Sequence, residues 1–255
     1  MDDYVLGVTS VCDELFVSLR RVRNQVAVYS INDYQLVCHI NVSERRVDIS
    51  YMTACVRHKC LYMSETDKGR IHRYELASGA IMRWSVPGKP LGLSVTSSCN
   101  LLVTCRGHPA RLVELSADSG QYVREIVLQS DIGDLQHSVQ LTTGQFVVCH
   151  GLGLREIHRV CVVGADGKVT RSYGSKCGSN VGKLNCPCHL AVDEDSQFVF
   201  VADYHNARVV LLSPTLQFVR YVSEGLPRLC QVYFHQATRR LFVGQSVRSV
   251  TVIQL

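Results

Sequence analysis

The chain of 255 residues contains no apolar run approaching the roughly 20 residues that a membrane-spanning helix needs. Its start, Met1-Asp2-Asp3-Tyr4, has no basic flank leading into a long apolar core, so a secretory signal is not expected. No Ser-His-Asp arrangement and no phosphate-binding glycine motif is visible. Charged residues make up only 19% of the chain and the net charge is +5, too small a total to imply nucleic acid by itself. Together these absences argue against a membrane protein and an exported scaffold, and they leave a cytoplasmic location as the expectation. The apolar fraction of 46% is that of a folded globular domain.

What the chain has is a repeat. Six short apolar strands each end in a small or polar residue and open into a loop: 14–18, 60–64, 100–104, 145–149, 198–202 and 240–244. Their fourth residues, Val17, Met63, Val103, Val148, Val201 and Val243, are separated by steps of 46, 40, 45, 53 and 42. A period of about 40 to 50 residues marks a propeller, in which each repeat is one supersecondary unit stacked on its neighbours. Around each of these strands three more can usually be found, bounded by turn signals such as Asn32-Asp33, Ser78-Gly79, Asp166-Gly167 and Ser213-Pro214. The expected fold is therefore all-β, one domain over 1–255, with six four-stranded antiparallel blades at about 1–42, 43–86, 87–129, 130–178, 179–223 and 224–255. Blade 6 has no residues for a fourth strand after Val250-Thr-Val-Ile253, so it is either three-stranded or closed by a strand outside this chain.

Blade 5 carries the clearest motif: Cys186-Pro-Cys-His-Leu-Ala-Val-Asp193, then Phe198-Val-Phe-Val-Ala-Asp203, then Asn206-Ala-Arg208. This resembles the NHL repeat, and the chain as a whole is most similar to the C-terminal propeller of tripartite-motif ubiquitin ligases. Blades 2, 3 and 4 keep parts of the pattern, with Arg70, Arg111 and Arg159 at the Arg position, whereas blades 1 and 6 have Gln25 and Ser249 there. The resemblance implies a binding domain within a larger multidomain protein. It implies no ligase activity in this chain, because no RING, B-box or coiled coil is present.

In a propeller, the loops after the second strand of each blade and the connections between blades open on one face. The loops after the second strands hold eleven cations against four acids, Glu65, Asp67, Glu156 and Asp203. The interblade connections on that face nearly cancel, while the opposite face is acidic. Glu65 and Arg70 are five apart, as are Asp203 and Arg208, and such a repeated pair reads as a salt bridge that locks the loop rather than as a ligand site. Arg111 and Arg159 share the position and the role. Setting these aside leaves Arg20, Arg21, Arg23, Arg106, His108, His150, Arg155, His158, Tyr204, His205 and Arg248 as candidate binding residues. Cations interleaved with aromatic and imidazole rings suit single-stranded or looped RNA, with Arg on phosphates and rings stacked on bases. The resemblance points the same way, since several tripartite-motif propellers bind RNA on this face. An acidic protein segment is the alternative partner, as in a scaffold or the substrate-recognition domain of a ligase.

Metal and catalytic readings are weaker. Cys177, Cys186, Cys188 and His189 lie close in sequence but lack the paired C-x-x-C form of a zinc site, and Cys38, Cys105, Cys149 and Cys161 read as buried apolar residues of strands. The histidines at 108, 137, 150, 158, 189 and 205 are what a metal-dependent propeller lyase would draw on, and a lactonase would need carboxylates near the axis, where the basic face has few. No cofactor, no metal and no enzymatic activity are expected.

Overall fold

The computed structural model describes residues 4–20, 24–42, 47–152 and 157–255. Blade 1 comprises β1 (Val5–Val11), β2 (Glu14–Leu19), β3 (Gln25–Ser30) and β4 (Leu36–Asn41), and blade 2 comprises β5 (Tyr51–Cys55), β6 (Cys60–Glu65), β7 (Arg70–Glu75) and β8 (Ile81–Ser85). Blade 3 is β9 (Lys89–Val95), β10 (Leu101–Arg106), β11 (Arg111–Leu115) and β12 (Tyr122–Val127). Blade 4 is β13 (Leu135–Gln140), β14 (Phe146–His150), β15 (Ile157–Val163) and β16 (Val169–Lys176). Blade 5 is β17 (Pro187–Val192), β18 (Val199–Asp203), β19 (Arg208–Leu212) and β20 (Phe218–Ser223), and blade 6 is β21 (Leu229–His235), β22 (Arg240–Gln245) and β23 (Val250–Gln254). Every sheet is an antiparallel meander in chain order. Single 3-10 turns at Thr66–Lys68 and Tyr204–Asn206 are the only helical segments among the described residues.

The first strands of successive blades touch in the order β1, β5, β9, β13, β17, β21, and β21 touches β1. They are the inner wall of a closed six-bladed propeller. The expected fold holds, and each apolar strand of the repeat is the second strand of its blade.

The core explains why those strands read as continuous apolar runs. It consists of six separate wedges, one in each blade–blade interface. In β14, Phe146 and Val148 enter the wedge shared with blade 3, while Val147 and Cys149 enter the wedge shared with blade 5. A strand buried on both faces needs apolar residues at every position, not at every second one. Each fully buried Val, Leu or Phe contributes about 1.5–3 kcal/mol through removal from water. Fourth strands lie at the rim and are far more open; β4 is exposed almost throughout. Cys38, expected inside, is therefore exposed on β4, because it lies on the outermost strand of its blade. All twelve cysteines are free thiols.

Blade 6 has three strands, with β23 at its outer edge. The ring closes there on the wedge of Val5, Val8, Leu15, Val17, Ile31 and Phe242. Polar contacts reinforce it: Ser10 Oγ and Tyr233 OH are 2.7 Å apart, and Cys230 Sγ donates to the Val5 carbonyl at 3.1 Å. Among the described residues no helix is long and apolar enough to cross a membrane.

Candidate functional site

Each inner strand begins at the face that carries the β2–β3-type loops, here termed the upper face. Just below its mouth the axis is filled. Tyr51 of blade 2 stacks on His189 of blade 5 with centroids 6.0 Å apart and planes 7° apart, and His189 stacks on His137 of blade 4 at 3.8 Å. Blades 2 and 5 stand opposite each other in the ring, so these rings meet across the bore. Gly92 on β9 makes the crowding possible: a Cβ there would stand 2.6 Å from the His137 ring and 2.7 Å from the Gln136 carbonyl. His137 Nε2 bonds the Leu93 carbonyl at 3.1 Å, while the Nδ1 atoms of both His137 and His189 are buried without a partner. Burial pushes His137 down to about 4 and His189 well below the ordinary imidazole value, so both rings are neutral.

Several cations and histidines of the repeat belong to the scaffold. Arg208 is the most deeply held: its Nε donates to Asp203 Oδ2 at 2.8 Å, and Nη1 and Nη2 donate to the carbonyls of Ser179 and Lys183. Arg111 pairs with Glu125 of β12 at 2.8 Å, and Arg159 pairs with Asp131. The expected Glu65–Arg70 bridge does not form. Glu65 instead takes Lys68 at 2.7 Å and His72 at 3.0 Å, which leaves Arg70 exposed and, among the described residues, without an ion pair. The reason is local: Lys68 follows in the 3-10 turn, and His72, buried on β7, presents Nε2 to the longer Glu side chain.

Two candidate binding histidines are likewise structural. His150 ends β14 and is 1% exposed; its Nε2 accepts from Arg159 Nε at 2.9 Å. Burial and the neighbouring Arg159 push it down to about 4. His158 is equally buried on β15, and its Nδ1 accepts the Cys186 N–H at 2.9 Å. Both were expected in an open loop, but each lies within a strand whose side chains are enclosed by the neighbouring blade. Arg21, Arg23 and Arg155 lie outside the described residues.

Of the remaining candidates, Tyr204 and His205 line one concavity on the upper face and Arg106 and His108 line another. One, of about 530 Å³, is lined by Tyr4, Tyr204, His205, Ala207, Pro227 and Arg228. Tyr204 meets the His205 ring edge-on at 4.8 Å, and Arg20 lies over the Tyr4 ring at 5.6 Å. Burial and a hydrogen bond with Tyr4 push the Tyr204 hydroxyl up to about 12. The other concavity, of about 310 Å³, is lined by Gly88, Lys89, Arg106, Gly107, His108 and Asp134. Lys89 and Arg106 are cross-strand partners, and the Arg106 Nε is buried with no acceptor. Arg106 also reaches toward the axis, close enough to Tyr51 to favour ionisation of its hydroxyl, although burial dominates and pushes that hydroxyl up. Arg248 is exposed in the β22–β23 turn and lines neither concavity.

Tyr4, Lys89 and Arg228 are therefore part of this face although they were not among the candidate binding residues, and Arg70, assigned to the scaffold from its repeat position, joins them at the surface. Tyr4 precedes the first strand, Arg228 lies in an interblade connection, and Lys89, which the sequence places in such a connection, is the first residue of β9. Of the four thiol and imidazole groups considered for zinc, Cys186, Cys188 and His189 are neighbours in sequence at the start of β17 but do not converge. Cys188 Sγ turns into the core and donates to the carbonyls of Ala202 and Leu229. Among the described residues no three potential metal ligands come together.

No family model and no curated protein matches the chain. Solved structures do. Kuenenia stuttgartiensis hydrazine synthase aligns with a TM-score of 0.71 and 13% identity over 98% of this chain and 95% of that one. Virginiamycin B lyase from Staphylococcus aureus gives 0.67 and 11% identity over 100% and 84%. The β-propeller domain of Myceliophteria thermophila Cps50 (Swd1) gives 0.66 and 14% over 98% and 83%. At such identities the likeness is one of fold: the chain is a six-bladed β-propeller, and its neighbours are other propeller types.

Proposed function

We propose that the protein is a non-enzymatic binding module whose upper face recognises a short single-stranded or looped RNA element. The observation that carries this reading is the pairing of two unlike concavities on one face. Lys89, Arg106 and His108 line one of them and offer cationic and imidazole donors to a phosphate. Tyr4, Tyr204 and His205, with Arg20 over Tyr4, form a wall on which unstacked bases pack. The resemblance to tripartite-motif propellers supports the same partner. Of the six histidines on which a lyase-like site would draw, four, His137, His150, His158 and His189, are buried and engaged in packing or hydrogen bonds, and the other two, His108 and His205, stand in separate concavities, which favours binding over catalysis.

A second reading rests on the smaller concavity alone. Its cations, Lys89 and Arg106, outnumber its one acid, Asp134, and His108 is its only ring, so it suits the carboxylate of an acidic protein segment as well as a phosphate. Fluorescence anisotropy with a pool of labelled short RNAs separates the two. The RNA reading requires saturable binding that weakens with salt, its logarithmic slope falling by roughly 0.7 for each phosphate contact removed. It fails if the pool shows no saturable binding, or if Arg20, Arg70, Lys89 and Arg106 can all become Glu without effect. The protein reading requires those reversals to abolish capture of a partner while RNA binding is absent.

A further inference from the structure

On the opposite, lower face, the wedge between blades 2 and 3 ends in a group of thiols that the binding reading does not use. Cys55 closes β5 and Cys60 opens β6, directly across from it in the register. His58 lies in the turn between them and brings Nδ1 to 3.2 Å from Cys55 Sγ. Its other nitrogen, Nε2, is 3.4 Å from Oδ1 of Asp118, which belongs to the β11–β12 turn of blade 3. With the Nε2 proton directed at that carboxylate, Nδ1 is left as the acceptor for the Cys55 thiol proton. Cys99, in the β9–β10 turn of blade 3, packs against the same core cluster as Cys55 and Cys60. It is the partly exposed member of the three; Cys55 and Cys60 are buried.

We propose that Cys55, His58, Asp118 and Cys99 form an oxidation site that converts a peroxide signal into a disulfide between blades 2 and 3. Cys99 is the thiol that a hydroperoxide reaches. Its sulfur takes one peroxide oxygen, giving a sulfenic acid and releasing water. The Cys55 sulfur then attacks the Cys99 sulfur as its proton passes to His58 Nδ1, and the hydroxyl on Cys99 leaves as a second water after taking that proton. The sum is two thiols and one hydrogen peroxide giving one disulfide and two waters. Asp118 stabilises the imidazolium formed on the way, which places it as a positioning residue. Burial and the neighbouring Cys99 raise the Cys55 thiol, which fits its place as the second thiol in the sequence rather than the first to be oxidised.

The test treats the whole reduced protein with hydrogen peroxide, quenches by alkylation and maps tryptic peptides without reduction. Cleavage at Arg57 and Lys59 separates Cys55 from Cys60, and fragment ions distinguish Cys99 from Cys105 on its peptide. A Cys55–Cys99 link is expected, absent in Cys99→Ser and in Cys55→Ser. Cys99→Ser replaces a partly exposed thiol and keeps the test valid should Cys55→Ser fail to fold. His58→Gln is expected to slow link formation at least about tenfold with the melting temperature of the reduced protein unchanged. The proposal is overturned if Cys55 joins Cys60 instead, if Cys99 proceeds to sulfinic acid with no link, or if His58→Gln forms the link at the normal rate.

Discussion

Blade 5 and blade 2 carry an acid and an arginine at the same spacing, Asp203 with Arg208 and Glu65 with Arg70, yet they use them differently. In blade 5 the arginine is enclosed: its side chain is 8% exposed, its partner 0%, and the long connection from blade 4 supplies two carbonyls for the other nitrogens. In blade 2 the acid is also buried, though at 4% exposure not completely, and has been taken by Lys68 and His72, so the arginine stands at the surface. The carboxylates respond in opposite senses. Complete burial pushes Asp203 up against the donors around it, whereas the neighbouring cation and imidazole outweigh burial and hold Glu65 below the ordinary carboxylate range. A repeat position therefore fixes where an arginine starts from, and the neighbouring strand decides whether it becomes scaffold or surface.

The sharpest way to break this comparison is to remove each arginine in turn. Arg208→Ala leaves Asp203 buried and uncompensated, and a loss of about 3–5 kcal/mol is expected in urea unfolding. Arg70→Ala should change stability by less than about 0.5 kcal/mol, and similar losses in the two variants would refute the distinction. Acid titration probes the buried histidines while leaving the charges of the compared arginines unchanged. His137 and His150 sit at about 4 when folded against about 6.5 in an unfolded chain, so the unfolded state takes up protons first as pH falls. Stability present above pH 6.5 should drain away toward pH 4, by about 3 kcal/mol per buried ring as an upper bound. Urea unfolding at pH 7 and pH 4.5 measures it, and His137→Gln should flatten the dependence. Gly92→Ala, which drives a methyl into His137 and the Gln136 backbone, should cost about 1–3 kcal/mol by the same assay. Smallest in stability and largest in binding are the rim reversals Arg70→Glu and Arg106→Glu. Both should melt within a few degrees of the parent protein while weakening RNA binding severalfold, a result that would set surface cations apart from scaffold cations by function as well as by burial.

The architecture was legible because it depends on residues that cannot be otherwise. A second strand caught between two wedges must be apolar on both faces, so Val147 and Val148 announce β14 from sequence alone. The wiring of the upper face was less legible, because the partner of a charge comes from a different strand or connection. Glu125 reaches Arg111 from β12 and Asp131 reaches Arg159 from the blade 3–4 connection, neither at a fixed offset in the repeat. His150 and His158 looked like loop residues because they flank a glycine-rich stretch, but the strands extend to include them. The ring stack on the axis left no local mark in the chain at all. Tyr51, His137 and His189 come from three blades and meet only when the ring closes.

That stack also sets how a long polymer can be held. With rings from opposite blades closing the bore, nothing can be threaded through the propeller as through a bead. If the upper face holds a polymer as proposed, that polymer lies across it rather than through it, so an internal stretch would serve as well as a terminus and loading would require no free end.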